Sequence, residues 1–375
     1  MSRINERERE LAAWLHLTLT PGVGPATSRD LLAAFGLPDQ ILAQSLSALS
    51  RVCSPAAAQA LLAEDAERDA AVARALAWAS QPGHHLITLA DAAYPQQLLQ
   101  APDPPPLLYA MGRLEVLRRA AVAMVGSRNA TAQGQANAEQ FAHALSQRGV
   151  CIVSGLALGI DAAAHLGGLA GEGSTIAVVG TGLDVVYPAR NRELAHRIAA
   201  HGLIVSEFAL GTRALAGNFP RRNRIIAGLA QGTLVVEAAL QSGSLITARL
   251  AADLGREVLA IPGSIHSPQS RGCHALIKQG AKLVESAADV LEELRLDVPA
   301  RQSASADVPN ADDMARKGAG SGHPVLDALA GDPVSLETLA QRTGLDAAGL
   351  MTQLTALELE GRAARLPGGR WQALA

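Results

Sequence analysis

Aromatic residues are scarce, at 3% of 375 residues. That excludes a protein that lays many bases along a run of rings, so any stacking falls to one or two side chains. Cysteine is scarcer still. Cys53, Cys151 and Cys273 stand far apart with no Cys-x-x-Cys, which excludes a disulfide scaffold and points to a reducing compartment. Cys151 lies in the apolar run Val150 to Val153 and reads as core. No apolar run reaches about 18 residues, so no membrane span is expected. Ser2 to Glu10 carries both signs of charge with no signal-type apolar run behind it, and the expected location is cytoplasmic. Excess positive charge is also missing: the net charge is −3, so a site for a polyanion has to be local.

Several chemical signatures are absent too. There is no P-loop, no HExxH or Cys/His ligand spacing among the histidines, and no Gly-x-Ser-x-Gly elbow. His84-His85 reads as a surface turn. Gly180-x-Gly182 lacks the third glycine of a dinucleotide site, and no acid closes the second strand where a ribose partner belongs. No metal and no cofactor are expected. Asp161, Asp184, Glu207 and Glu237 are carboxylates at strand ends, open to a catalytic role and more often helix caps or arginine partners.

What is present is a large apolar stock, 49% of the chain, and 35 glycines, which fits a loop-rich α/β protein of two or three domains. Residues 1–100 read as an N-terminal helical (SAM/helix-hairpin-helix-like) domain. Its turn Pro21-Gly22-Val23-Gly24 separates helices over Leu11–Leu19 and Thr27–Phe35, with further helix over 55–79. Such a turn either grips DNA phosphates or belongs to a helical adaptor that packs on its neighbour. A Pro-rich connector, Ala101 to Leu107, opens the next domain, 101–296. There, strand-length apolar runs alternate with helical stretches: Ala121–Val125, Val150–Val153, Thr175–Val179, Leu203–Val205, Leu234–Val236, Val258–Ile261 and Lys282–Val284. This is the pattern of an α/β, doubly wound parallel sheet, whose ligands sit past the carboxyl ends of the strands at the switch point. Those ends carry glycines and hydroxyls that suit phosphate or sugar oxygens.

Residues 297–322, rich in Ala, Ser, Asp and Pro, read as a disordered linker. Residues 323–375 read as a winged helix, with helices over Pro324–Leu329, Leu336–Thr343 and Ala347–Glu360 and a ribbon through Arg362–Leu366 and Trp371. Its third helix carries no basic residue, which favours protein contact over base readout.

The densest positive charge is in Asn218 to Gly228, where Arg221, Arg222 and Arg224 fall within four residues. Pro220 suits a first helical position, so the arginines are expected in the first turn, where cations are unfavourable unless an anion binds. For Arg221 and Arg224 the phosphate reading is favoured. Arg222 is open between phosphate and a buried glutamate such as Glu207 or Glu237. Phe219 stands in the same cluster, as a stacking ring or as an anchor under the loop.

The ordered set Gly126-Ser127-Arg128, Ser154 to Asp161, Gly180 to Asp184, Asn218 to Ile226, Ser242 to Ala248 and Gly255 to Gly263 resembles the DprA/Smf family of DNA-processing proteins. The resemblance implies an extended Rossmann-like fold in a single-stranded DNA-binding protein, not an enzyme, that forms a homodimer and helps load RecA recombinase during natural transformation. It implies phosphate contacts from Arg128 and from Arg221, Arg222, Asn223 and Arg224, with Phe219 stacking on a base beside Asn218. It also implies a pocket lined by Gly126, Ser127, Ser154, Gly155, Ser242, Gly243, Ser244 and Thr247. Self-association is expected near Leu276, Ile277 and Leu283. A rival is a nucleotide-binding N-glycosidic hydrolase of a related Rossmann-type fold, built on Glu237 and Ser242-Gly243-Ser244, although the glycine-rich phosphate loop of that class is missing.

Overall fold

A computed structural model describes residues 2–296, 323–329, 334–366 and 368–374; the expected linker 297–322 lies outside the described residues. Six helices come first: α1 (Ser2–Leu19), α2 (Pro25–Phe35), α3 (Pro38–Leu42), α4 (Leu46–Leu49), α5 (Pro55–Leu62) and α6 (Ala66–Ala79). Gly22, at φ +81°, turns the chain between α1 and α2, while Val23 points inward and packs with Leu17, Leu31 and Ile41. A second apolar layer, Trp14 and Leu15 of α1 with Trp78 of α6, packs on Leu86, Leu107 and Tyr109 of the central sheet. The helical region is therefore fastened to the sheet, as an adaptor would be.

That sheet has nine strands: β1 (His84–Thr88), β2 (Leu107–Gly112), β3 (Ala121–Val125), β4 (Cys151–Ser154), β5 (Thr175–Val178), β6 (Leu203–Ser206), β7 (Gly232–Val235), β8 (Glu257–Ala260) and β9 (Lys282–Leu283). Their order is β1-β2-β6-β5-β4-β3-β7-β8-β9. The strands from β3 to β9 run parallel, as the sequence pattern predicts, but β1 and β2 add an antiparallel edge that the pattern did not reveal. His84 and His85 thus open a strand rather than a surface turn, with the His84 ring stacked 4.3 Å from Trp78. The sheet also starts before residue 101, so the division expected at the Pro-rich connector falls inside the sheet domain.

Among the described residues, nine more α-helices cover the sheet or follow it: α7 (Gln96–Leu99), α8 (Ala132–Gln147), α9 (Ile160–Leu169), α10 (Arg192–His201), α11 (Asn218–Leu229), α12 (Ser244–Asp253), α13 (Arg271–Lys278), α14 (Ala287–Glu293) and, further on, α15 (Pro324–Leu329). β3 shows why both faces are covered. Ala121, Ala123 and Val125 pack on the side of α11 and α12, while Val122 and Met124 pack on the side of α8 and α9. Burial of a Val or Met side chain stabilises by about 1.5–3 kcal/mol, so strands apolar on every residue need helices on both faces. Cys151 is buried in this core, and Cys53, Cys151 and Cys273 are all free. Leu276 and Ile277 lean partly buried on the core, while Leu283 is 49% exposed on β9, the edge strand.

The C-terminal region adds α16 (Leu336–Thr343), α17 (Ala347–Leu359) and a sheet of β10 (Val334–Ser335), β12 (Arg370–Ala373) and β11 (Ala363–Leu366) in that order. Leu339, Leu350, Leu354, Leu357 and Trp371 form its core. Ser335 and Asp346 cap α16 and α17. This is a winged helix with one short strand more than the sequence reading contained. No described helix is long and apolar enough to cross a membrane.

Candidate nucleic-acid interface

Strand order reverses between β3 and β7, and a cleft of about 740 Å³ opens past their carboxyl ends. One wall is Gly126 to Asn129. A Cβ on Gly126 would sit 2.5 Å from Ile160 and 2.8 Å from the Glu237 carbonyl, so only glycine lets the chain turn there. Ser127 N–H donates to the Glu237 carbonyl at 2.7 Å, and its Oγ accepts from Asn129 N–H at 3.2 Å. The facing wall is the start of α12, with Ser242, Gly243, Ser244 and Thr247 in the lining; the Ser242 and Ser244 hydroxyls are 2.6 Å apart. The N-terminal end of α12, carrying partial positive charge, therefore faces the cleft.

The third wall is α11, which begins at Asn218, two residues before the start expected from Pro220. Phe219, Arg222, Asn223 and Ile226 line the cleft, at i, i+3, i+4 and i+7 of one helical face. Asn218 Nδ2 donates to the Gly180 carbonyl at 3.0 Å, and the half-buried Phe219 ring packs over Gly180, where a Cβ would lie 3.1 Å from it. Tyr187 lies 5.5 Å from Phe219 between ring centroids, and the Arg128 guanidinium carbon sits 5.7 Å from the Phe219 centroid. Arg128 is exposed and makes no ion pair or hydrogen bond with a described residue. Its charge is available to a ligand, and it sits where a cation–π contact holds it beside the rings.

The same helix start sends the other arginines elsewhere. Arg221 and Arg224 do not line the cleft. Both reach Glu207 at the end of β6, at 3.2 and 2.6 Å, and Arg224 also meets Asp103 at 3.5 Å. The cluster that looks free of acid in sequence is thus neutralised by acids from β6 and from the Pro-rich connector. Glu207 pairs with Arg221 and Arg224, not with Arg222. Arg222 is only 4% exposed and donates through Nη1 to the Gly155 carbonyl at 2.6 Å and to the Val178 carbonyl. Its guanidinium lies flat on Gly155, where a Cβ would be 2.6 Å from Nη2. Burial pushes its pKa down to about 10, against the pull of Asp161. Arg222 therefore backs the cleft, with its donors turned inward.

Ser154 and Gly155, unlike Arg222, do not line the cleft and fall behind it. Ser154 Oγ donates to the Met124 carbonyl at 2.6 Å. Asp161 accepts from Gly155 N–H and Ala157 N–H at 3.1 and 3.2 Å, and burial raises its pKa while Arg222 opposes the rise. The loop passes through Leu156 at φ +59°, a conformation unfavourable to a branched residue. Asn191 Nδ2 donates to the Leu156 and Ala157 carbonyls at 2.9 and 3.1 Å. His165 Nε2 accepts from Leu156 N–H at 3.2 Å, so Nδ1 carries the proton that meets Thr175 Oγ1 at 2.7 Å. Burial first, and Arg222 second, push the His165 pKa down to about 3 and keep the ring neutral.

The remaining strand-end carboxylates have similar structural partners. Both oxygens of Asp184 accept from Gly211 N–H at 2.8 Å. Glu237 accepts from Thr131 N–H at 2.9 Å and from Thr131 Oγ1 at 2.7 Å, at the start of α8. Burial raises the pKa of Glu237, and the Thr131 hydrogen bonds oppose it. The glutamate on which the hydrolase reading rests is thus committed to a helix cap.

Sequence reasoning did not single out Tyr187 and Asn129 as cleft residues. The signal for Tyr187 was an aromatic directly after the Gly180–Asp184 strand end; nothing marked Asn129 beyond its place after Arg128.

The DNA recombination-mediator protein A family model matches residues 85–295, and the DprA winged helix domain matches residues 309–369. The chain is 45% identical to Protein Smf of Escherichia coli K12 over 299 residues, 78% of this chain and 79% of that protein. The X-ray structure of DNA processing protein A from Streptococcus pneumoniae matches with a TM-score of 0.66 at 39% identity, covering 75% of this chain and 95% of that one. DNA processing protein A from Helicobacter pylori, whose structure is described as giving insight into its single-stranded DNA binding mode, matches with a TM-score of 0.52 at 30% identity, covering 57% of this chain and 97% of that one.

Proposed function

This chain belongs to the DNA recombination-mediator protein A family, and on that footing we propose that its cleft binds single-stranded DNA during natural transformation and recombination. The observation that carries the reading is the grouping of Arg128, Phe219 and Tyr187 at the open rim, opposite the α12 N-terminus. One cation without an acid partner, two neighbouring rings and a partly positive helix end are the elements a single strand needs: phosphate neutralisation and stacking. Binding led by phosphate contacts and stacking is largely blind to sequence.

Within this reading the protein acts by binding and not by catalysis, works in the cytoplasm and helps load RecA recombinase. It pairs with a second copy through the β9 edge near Leu276, Ile277 and Leu283. The winged helix serves protein contact, in keeping with the lack of basic residues on α17.

The test is fluorescence anisotropy of a labelled oligo-dT strand, wild type against the Arg128→Ala/Phe219→Ala double variant, at low and moderate salt. Tight, salt-sensitive binding by the wild type and its loss in the variant support the cleft. Equal binding by both removes DNA from it.

A further inference from the structure

Outside the cleft, α10 and the turn before it concentrate positive charge that no described residue pairs with. Arg190, Arg192, His196 and Arg197 are exposed along a groove of about 640 Å³ that ends at His201. Glu193 is the only acid in that lining. Arg190, Arg192 and Arg197 make no ion pair or hydrogen bond with a described residue, although Glu193 stands four positions before Arg197. Two of these cations sit at the N-terminal end of α10, where the helix dipole disfavours them. Asn191, the N-cap residue, offers no relief there, because its side chain is turned to the Leu156 and Ala157 carbonyls. This much unneutralised charge in a chain of net charge −3 is a local feature that calls for an anion.

The groove begins close to the cleft along the chain. Tyr187 lines the cleft and Ala189 lines the groove, so two residues of chain, at most about 7 Å, separate them. From that rim α10 runs about 15 Å down the flank of the sheet. At its far end the His201 carbonyl accepts from Ser174 Oγ at 2.8 Å and from Arg113 Nη1 at 3.3 Å. No Phe, Tyr or Trp lies on α10, so this track suits phosphates better than stacked bases.

We infer that the α10 face, through Arg190, Arg192 and Arg197, carries the phosphates of the same single strand where it leaves the cleft past Tyr187. The inference rests on the cleft reading above. The cleft anchors a short stretch by stacking, and α10 adds sequence-blind contacts that only a longer strand reaches.

The experiment compares labelled dT strands of about six and about twenty nucleotides, the range of site sizes common for single-strand binders. Three full-length proteins are used: wild type, Arg192→Ala/Arg197→Ala and Arg192→Lys/Arg197→Lys. Both positions are solvent-facing and alanine favours helix, so matching thermal melts serve as the folding control. The alanine variant is expected to lose about ten-fold in affinity for the long strand. Its salt slope should shrink by about 1.4, two phosphate contacts' worth for a single strand. Its short-strand affinity should be unchanged, and the lysine variant should hold the long strand as the wild type does. Intact short-strand binding with a long-strand affinity that ignores the alanine variant overturns the α10 track alone. Failure of the wild type to bind the short strand overturns the cleft reading and this inference with it.

Discussion

The rim of the cleft and the layer directly behind it use the same side-chain types for different purposes. At the rim, Arg128 is exposed, without an acid partner, and close to two rings. Behind it, Arg222 is buried and spends its donors on the Gly155 and Val178 carbonyls, facing Asp161. A charge at the rim stays hydrated until a ligand arrives, so it contributes to affinity and little to stability. A charge behind the rim has lost its water, so its partners must replace that water, and it contributes to stability. The number of arginines in a stretch says little about anion binding. What matters is which of them keep a hydrated, unpaired head.

The sharpest way to break this contrast is Arg222→Ala. It leaves Asp161 buried beside two carbonyls that have lost a donor. Leaving buried polar groups without their partner costs about 1–3 kcal/mol each, and more for a charged group. Thermal or denaturant unfolding should show a large loss of stability, with a loop at 154–157 that opens to proteolysis. A variant as stable as wild type would place Arg222 with the rim residues.

The rim is tested by Phe219→Ala and Arg128→Ala one at a time. Losing one stack costs about 1–3 kcal/mol of single-strand affinity. Losing Arg128 should flatten the salt slope by about 0.7, one phosphate contact. Melting temperatures should stay close to wild type in both. A loss of stability matching the loss of affinity would make the rim an extension of the buried layer.

The sheet was legible because β3 to β8 are short, mostly apolar and separated by helical stretches, which a parallel sheet covered on both faces accommodates. β1 and β2 were not legible. They lie among helices and a Pro-rich segment, and β6, the strand that joins β2 to the rest of the sheet, is about a hundred residues further on. The cleft was legible at Gly126–Arg128, Phe219 and Ser242–Thr247, because the switch point and the strand-end glycines fix backbone positions. The roles of the α11 arginines were not. They depend on the phase of a helix that starts two residues earlier than Pro220 suggests, and on Glu207 and Asp103, acids distant in the chain. Local sequence carries helix phase only to within a residue or two, and one residue turns a side chain by about 100°.

His165 gives a smaller and graded test of the buried layer. Its pKa is pushed down to about 3 in the fold, against about 6.5 for an unperturbed histidine. Between those values the unfolded chain binds a proton that the folded chain refuses. The stability this group contributes is therefore complete above pH 6.5 and declines as pH falls, by up to roughly 1.4 kcal/mol per pH unit. Chemical denaturation at pH 7.5 and at pH 5.5 should show this loss in wild type and a weaker one in His165→Gln. Equal pH slopes in the two proteins would mean that His165 takes up a proton inside the fold.

The smallest effect is expected at Arg221, and there the contrast is drawn most finely. Arg221 and Arg224 share the Glu207 carboxylate, yet Arg221 is 48% exposed and Arg224 11%. An exposed arm of an ion pair contributes about 0–1 kcal/mol. Glu207 keeps Arg224 at 2.6 Å when Arg221 is gone, so Arg221→Ala should change stability little and single-strand affinity by about two-fold at most. Arg224→Ala removes the closer partner of a buried carboxylate and should lower the melting temperature clearly, again without a selective loss of affinity. If Arg221→Ala instead weakens binding about as much as Arg128→Ala, then phosphate draws Arg221 off Glu207. In that case the rim extends around α11 to the face that carries Arg221.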